Sequence, residues 1–410
     1  MKGRLSMIAI FIISALFLPF FSLFLGVVGL SINYSRWRAY IVLVAIFVFS
    51  AAYCYEPASD SDLIRYFQML SDIKNVSLAD ANIYFDDGLI VKNAFFWLIS
   101  KLGVPRILPS ITTTTVYLIS MYITCDYCEE RRCLSCIRYI IIFQFFFIPL
   151  ITIVNNVRNI FAFSIFLLAV YLDLIKKKRN IFIYSLYILP CFIHTTVVLL
   201  LILRIISLFG NKIKVAACAI IFVLPNLINV SYEFRNLFGA YGNVGNIIRL
   251  NIVKAYWFFN GANDNEWAIM VSKSPSLKIN RFIVFSTAIL LMLFILTVFK
   301  KKQPSVIHTF IFMVCLLVLA CGNFTANHYW RFATVFTVLI SIIFVPIVDN
   351  WRSQHLWVKL GIYFLYLTGF VNKLIMVRFD FRGINVLDYF GNISICGFFP
   401  IFLEVLKAFV

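Results

Sequence analysis

The run N-N-V-R-N-I-F-A-F-S-I-F-L-L-A-V-Y-L-D-L-I-K-K-K-R-N-I-F-I-Y-S-L-Y-I-L-P-C-F-I-H-T-T, residues 155–196, is the stretch on which the fold turns. Arg158 opens an apolar segment that ends in Lys176, Lys177, Lys178 and Arg179, and a second apolar segment then carries His194. Four consecutive cations mark a cytoplasmic loop, because Lys and Arg are retained on that side of a membrane. A helix from Arg158 to Ile175 rises about 26 Å, close to a hydrocarbon thickness of about 30 Å, which places Arg158 at the outer edge. His194, roughly 22 Å into the following segment if that is helical, reaches a similar depth. Ionisable residues at such depths are functional candidates by default, here for an anionic, lipid-held substrate. The other reading of Arg158 is an anchor that snorkels to the interface.

Working outward, the 410 residues are 62% hydrophobic, 18% aromatic and only 13% charged, with mean hydropathy +0.93. This is the composition of an all-α, polytopic integral membrane protein with no soluble domain. A net charge of +18 invites nucleic acid, but the cations lie in short loops between apolar spans. Positive-inside loops and anionic membrane lipid account for them, so no nucleic-acid partner is expected. Residues 5–35 are uncharged for far longer than a signal core, and the first span is expected to stay in the mature protein.

Of the ten cysteines, Cys54, Cys191, Cys218, Cys315 and Cys321 fall in apolar spans, where a thiol behaves as a small hydrophobe. Cys125-x-x-Cys128 and Cys133-x-x-Cys136 look like a zinc motif, but the pairs stand too close together for one. A reduced cytoplasmic loop with Arg131, Arg132 and Arg138 is expected, with no metal and no cofactor.

Residues 39–55 are predicted to cross outward after Arg36 and Arg38. An outer loop over 56–106 follows, in which Leu63, Tyr66, Phe67 and Leu70 keep helical spacing, the pattern of an amphipathic helix on the surface. Asn93 to Val104 is apolar but too short to span, hence re-entrant or interfacial, with Pro105 as its stop. Residues 107–125, 139–154 and the helix after Arg158 cross in turn. A single span over 180–203 would put Lys212, Lys214 and Lys300–Lys302 outside. Two half-helices meeting near Pro190 to Thr196, with His194 at the bend, avoid that, and broken backbone at this depth must line a cavity or be buried in protein. A second outer loop covers 232–280; then come spans at 282–299, 305–323, 332–348 and 360–371. About eleven to fourteen membrane segments result, with 389–403 undecided.

This topology leaves Arg65, Arg158, Arg235, Arg249 and Arg331 on the outer face, against the usual bias. A diphosphate explains them, since Arg binds phosphate oxygens bidentately and stabilises charge developing on a leaving group. Alternatively, several simply pair with acids such as Asp60, Asp62, Asp87 or Glu233. Arg158 and Arg331 stand out because each opens a span, where the helix dipole repels a cation unless an anion sits near. His194 serves as a general base or donor, or as a satisfied core histidine; His328 is a weaker candidate. Asp60 and Asp62 are candidates to deprotonate an incoming sugar hydroxyl.

With these residues in place, the chain resembles the bacterial polysaccharide polymerases of the Wzy and EpsG type. The resemblance is carried by Asp60-x-Asp62 with Arg65-Tyr66 after an early span, Arg158 before a helix that ends in lysines, Phe192-Ile193-His194, and Arg331. Pro57-Ala58-Ser59 stands where the family often has an arginine and a glycine. The resemblance implies a multi-pass protein of the bacterial inner membrane. It implies a metal-independent glycosyltransferase that polymerises undecaprenyl-diphosphate-linked oligosaccharide at the periplasmic face in O-antigen or exopolysaccharide assembly, with a chain-length regulator as a further partner. Catalytic roles would fall to Arg158, His194, Arg331, Asp60 and Asp62, and substrate binding to Arg65, Tyr66, Arg235, Arg249 and His328. The runner-up is a transporter, a flippase of the same lipid-linked unit.

Overall fold

The structure, a computed structural model, describes residues 9–10, 13–14, 18–32, 34–53, 62–148, 150–238, 245, 249, 252–253, 256, 274–298, 305–321 and 328–380. Among the described residues the regular structure is helical throughout, with no strand. Contacts divide the chain into two compact units. One comprises Met1–Leu199, Val338–Asn350 and Val377–Val410; the other comprises Leu200–Thr337 and Trp351–Met376.

The first unit begins with α1 (Pro19–Ile32) lying along α2 (Arg36–Tyr53). Gly26 makes that approach possible, since a Cβ there would stand 2.7 Å from Val42 Cγ2, and small residues let helix backbones meet closely in membranes. Three short helices follow, α3 (Asp62–Asp72), α4 (Leu78–Phe85) and α5 (Ile90–Lys101). The amphipathic expectation for the first holds: Leu63, Tyr66 and Leu70 are buried on one face. Ser77 caps α4 by accepting from the Asp80 amide at 3.2 Å. The apolar segment expected from Asn93 starts earlier, at Ile90, and stops before Pro105: the chain turns at Gly103, whose φ of 71° is open to glycine at no cost.

The long α6 (Ile107–Glu130) carries Cys125 to Cys128 inside its last turns. Next come α7 (Leu134–Phe147), α8 (Leu150–Asn155) and α9 (Asn159–Leu174). Pro149 forbids α7 from continuing, and Tyr117 donates its buried hydroxyl to the carbonyl of Ile148 at 2.6 Å, satisfying a helix-end acceptor. Gln144 bonds Thr124 across α6 and α7 at 3.0 Å. Cys133 and Cys136 form a disulfide, which corrects the expectation of an entirely reduced loop; the tight start of α7 brings their Cα atoms to 5.6 Å.

One set of ends of these helices is tied by ions. Lys176 pairs with Asp126 at 2.7 Å and Glu130 at 3.1 Å, and Arg36 pairs with Glu129 at 2.5 Å. Tyr187 and Arg179 both reach the buried Asp173, at 3.0 and 3.3 Å. Arg36, the C-terminal end of α6 and the basic run after α9 therefore share one end of the unit. Arg158, at the other end of α9, is separated from them by the length of that helix.

α10 (Ile181–Ile188) runs into a 3-10 turn at Leu189–Phe192 and the helix is then interrupted, resuming as α11 (Val197–Ile206). The break expected around His194 is present: Pro190 removes an amide donor, and a 3-10 turn closes on its carbonyl.

The second unit contains α12 (Asn211–Glu233), α13 (Arg235–Phe238), α14 (Pro275–Val298), α15 (Val306–Ala320) and most of α16 (His328–Val338); α17 (Ser341–Asp349) belongs to the first unit, and α18 (Leu356–Asp380) falls largely in the second. In the second unit a buried polar link holds α14 to α18 through Asn280 and Asn372, and Tyr329 donates to Asn280 at 2.5 Å. Hydrogen bonds between membrane helices contribute about 0.6 kcal/mol each on average. Among the described residues three helices are long and apolar enough to cross a membrane, Ile107–Glu130, Pro275–Thr297 and Leu356–Ile375. The pairs Asn211–Val223 with Leu227–Glu233 and Tyr329–Val338 with Ser341–Asp349 raise this to five if each is one span. Large apolar side chains such as Ile181, Phe282 and Leu367 are exposed, the surface expected of helices solvated by lipid.

Candidate functional site

Arg158 is the residue on which the described part of the site is built. It stands at the N-cap of α9, where four backbone amides lack helical partners and the dipole is positive, a poor place for a cation. Its guanidinium lies 5.1 Å from the centroid of the Tyr66 ring. Its Nε is buried without a hydrogen-bond partner, and among the described residues no carboxylate pairs with it.

Tyr66 is itself buried, 3% exposed, because the amphipathic α3 turns it inward. Arg65 also reaches this ring, 5.5 Å from the centroid, and Phe96 meets it edge-on at 5.6 Å. The aromatic run continues from Phe96 to Phe85, centroids 6.0 Å apart, and Phe95 stacks on Phe161 at 5.5 Å, which seats α5 on α9. Tyr66, expected to contact substrate, lies with its ring under the Arg158 guanidinium.

Lys92 completes the cluster, and it was not among the residues singled out from sequence. Its side chain is 3% exposed, it pairs with Asp87, and its ammonium stands 4.3 Å from the centroid of the Phe85 ring. Burial pushes the Lys92 ammonium below the usual lysine range; Asp87 opposes that shift and the charge of Arg158 adds to it. A single lysine inside I-V-K-N-A-F-F-W-L-I-S was the signal available. Asp87 sits in a tight turn between Asp86, φ 42°, and Gly88, φ 69°, and also accepts from the Leu89 amide at 3.0 Å.

His194 lies at the interruption after the 3-10 turn, against which α5 packs. Its Nδ1 contacts the Thr196 hydroxyl at 2.6 Å and accepts the Thr196 amide at 3.3 Å. With the Thr196 amide donating to Nδ1, the proton of the neutral ring falls on Nε2, where the ring can donate.

The remaining expected residues divide as follows. Asp62 and Arg65 pair with each other at 3.0 Å with both side chains exposed, the arrangement of a solvated helix surface. Asp60 lies outside the described residues. Arg331 does not open its helix: α16 begins at His328, so Arg331 occupies the first turn, in the second unit. In that unit Arg235 donates to the Tyr232 carbonyl at 2.7 Å and covers the Tyr232 ring at 3.8 Å, and Arg249 is exposed. Arg281, also missed as a candidate, lies 5.6 Å from the Tyr329 ring. Among the described residues no three His, Cys, Asp or Glu side chains group as metal ligands.

These features define a polytopic helical membrane protein with two cations held on aromatic rings at one end of a helix. The chain belongs to the EpsG family, whose family model matches residues 37–390 and so takes in Asp62 to Tyr66, Lys92, Arg158 and His194. Membership marks a membrane protein of the polysaccharide-polymerase type. No curated protein and no solved structure matches the chain.

Proposed function

We propose that the protein polymerises oligosaccharide repeat units carried on undecaprenyl diphosphate, at the periplasmic face of the bacterial inner membrane. The bond between the anomeric carbon of the donor chain and its diphosphate oxygen breaks, a sugar hydroxyl of the acceptor repeat forms the new glycosidic bond, and its proton leaves to a base. Undecaprenyl diphosphate departs as an anion. The observation that carries this reading is Arg158, whose buried Nε has no hydrogen-bond partner and which pairs with no carboxylate among the described residues, at the end of α9 opposite Lys176. Such a donor, poised before substrate arrives, stabilises charge that appears on the leaving diphosphate. His194, with its proton on Nε2, is a second donor to that anion, and no metal is needed to balance it. The Wzy-like assignment, the eleven to fourteen membrane segments and a chain-length regulator as partner belong to the same proposal.

The test is the surface polysaccharide of a deletion strain. Loss of the polymerase leaves lipid-linked material capped with one repeat unit, because export is intact. Complete absence of surface repeats would instead point to a transporter.

A further inference from the structure

Lys92 is buried, yet the function proposed above gives it no task. We propose that Lys92 is a second cation of the diphosphate site and that Asp87 occupies, in the substrate-free protein, the position a phosphoryl oxygen takes when the substrate binds. This rests on the reading that the site takes a lipid-linked diphosphate.

Five observations support it. The side chain of Lys92 is 3% exposed while that of its partner Asp87 is 31% exposed, so the open side of the pair is the carboxylate. Phe85 covers the ammonium at 4.3 Å from its ring centroid, leaving the Asp87 side as the route of approach. Arg158 is close enough to act electrostatically on Lys92, and the two cations bear on the connected rings of Phe85, Phe96 and Tyr66. Among the described residues Asp87 is the one carboxylate on Lys92 and none pairs with Arg158, so these three side chains carry one net positive charge. A diphosphate carries more negative charge than a carboxylate and presents several oxygens, so it satisfies both cations where Asp87 satisfies one. Asp87 can yield because it lies in a short turn between two residues with positive φ, and it keeps the Leu89 amide as a partner through its other oxygen.

A purely structural Asp87–Lys92 pair makes different predictions. Breaking such a pair from either side is costly, whereas removing both partners is tolerated. The test measures saturable binding of radiolabelled undecaprenyl diphosphate to the full chain in lipid nanodiscs, with inorganic diphosphate as competitor to separate headgroup recognition from the lipid tail. Thermal unfolding of each variant checks that it is folded. Lys92→Met is expected to bind at least tenfold more weakly, Lys92→Arg within a few fold of wild type, and Asp87→Asn as tightly as wild type or tighter. The double variant Lys92→Met with Asp87→Asn should be as weak as Lys92→Met alone. Wild-type affinity in Lys92→Met, or its recovery in the double variant, overturns the proposal and leaves a structural pair. If Asp87→Asn does not fold, the contrast between Lys92→Met and Lys92→Arg decides. No binding by the wild type overturns both this proposal and the substrate reading; normal wild-type binding with unchanged Lys92→Met overturns this one alone.

Discussion

The guanidinium of Arg158 and the buried ring of Tyr66 stand 5.1 Å apart, joining the start of the apolar helix α9 to the amphipathic helix α3. A desolvated cation–π contact contributes about 1 to 2 kcal/mol, enough to hold a long side chain in one orientation. Tyr66→Phe keeps the ring and should retain near-normal polymer. Tyr66→Leu removes it and should lower the yield of long chains about fivefold or more at an unchanged protein level. The length distribution of extracted polysaccharide measures both; an equal loss in the two variants would shift the role to the hydroxyl.

Lys92 gives a pH signature with a definite sign. Its folded pKa is lowered by burial, so between that value and the ordinary lysine value the unfolded chain binds more protons at this group than the folded chain. Folding stability attributable to Lys92 therefore rises with pH across that alkaline window, and the cost of the buried ammonium is fully present below it. Wild-type stability should increase relative to Lys92→Met as pH climbs, read from paired melting curves in detergent. Diphosphate binding should change in the opposite sense, weakening as the ammonium loses its proton. A flat difference between the two curves would show that burial does not perturb Lys92.

The ion pairs at one end of α2, α6 and α9, taken with the positive-inside bias, predict sidedness. Single cysteines at Asn180 and Asn211, in a background without the native cysteines, should resist an impermeant thiol reagent in intact cells. A cysteine at Ser77, the cap of α4, should label. Labelling at Asn180 would reverse the orientation assigned from Lys176 to Arg179.

Two glycines separate close packing from open space. A Cβ on Gly361 would stand 2.9 Å from Cζ of Phe294, whereas one on Gly29 meets nothing within 4 Å. Gly361→Ala should lower the melting temperature, since overpacking typically costs about 1 to 3 kcal/mol. Gly29→Ala should be neutral or stabilising, because alanine favours a helix by about 1 kcal/mol. Equal melting temperatures for both variants would show that the contact between α14 and α18 can relax.

How far the sequence could be read depended on the kind of signal. The helix break at His194 was legible because Pro190 and a charge-parity constraint acted together, and α3 because polar residues made its apolar period visible. Charges also grouped the ends of α2, α6 and α9 that the ion pairs join. In apolar surroundings the same period vanishes, so boundaries drifted: Ile90 rather than Asn93, Gly103 rather than Pro105, His328 rather than Arg331. Pairings distant in sequence left no local trace. Nothing near Asn280 announces Asn372, and Lys92 looked like the end of a polar loop until Asp87, Phe85 and Arg158 were placed around it. Tyr66 was singled out from its place beside Arg65, but sequence could not show that its ring lies against Arg158.

The most direct measurement is the surface polysaccharide made by cells whose sole copy carries Arg158→Ala. Loss of one oxyanion-type donor lowers rates by about 10² to 10³. Long polymer should collapse to lipid-linked material bearing a single repeat, with normal amounts of the protein in the membrane. Lysine at the same position keeps charge without the planar fork and should restore only part of the ladder. A full-length ladder from the alanine variant would contradict the account and leave Arg158 an interfacial anchor.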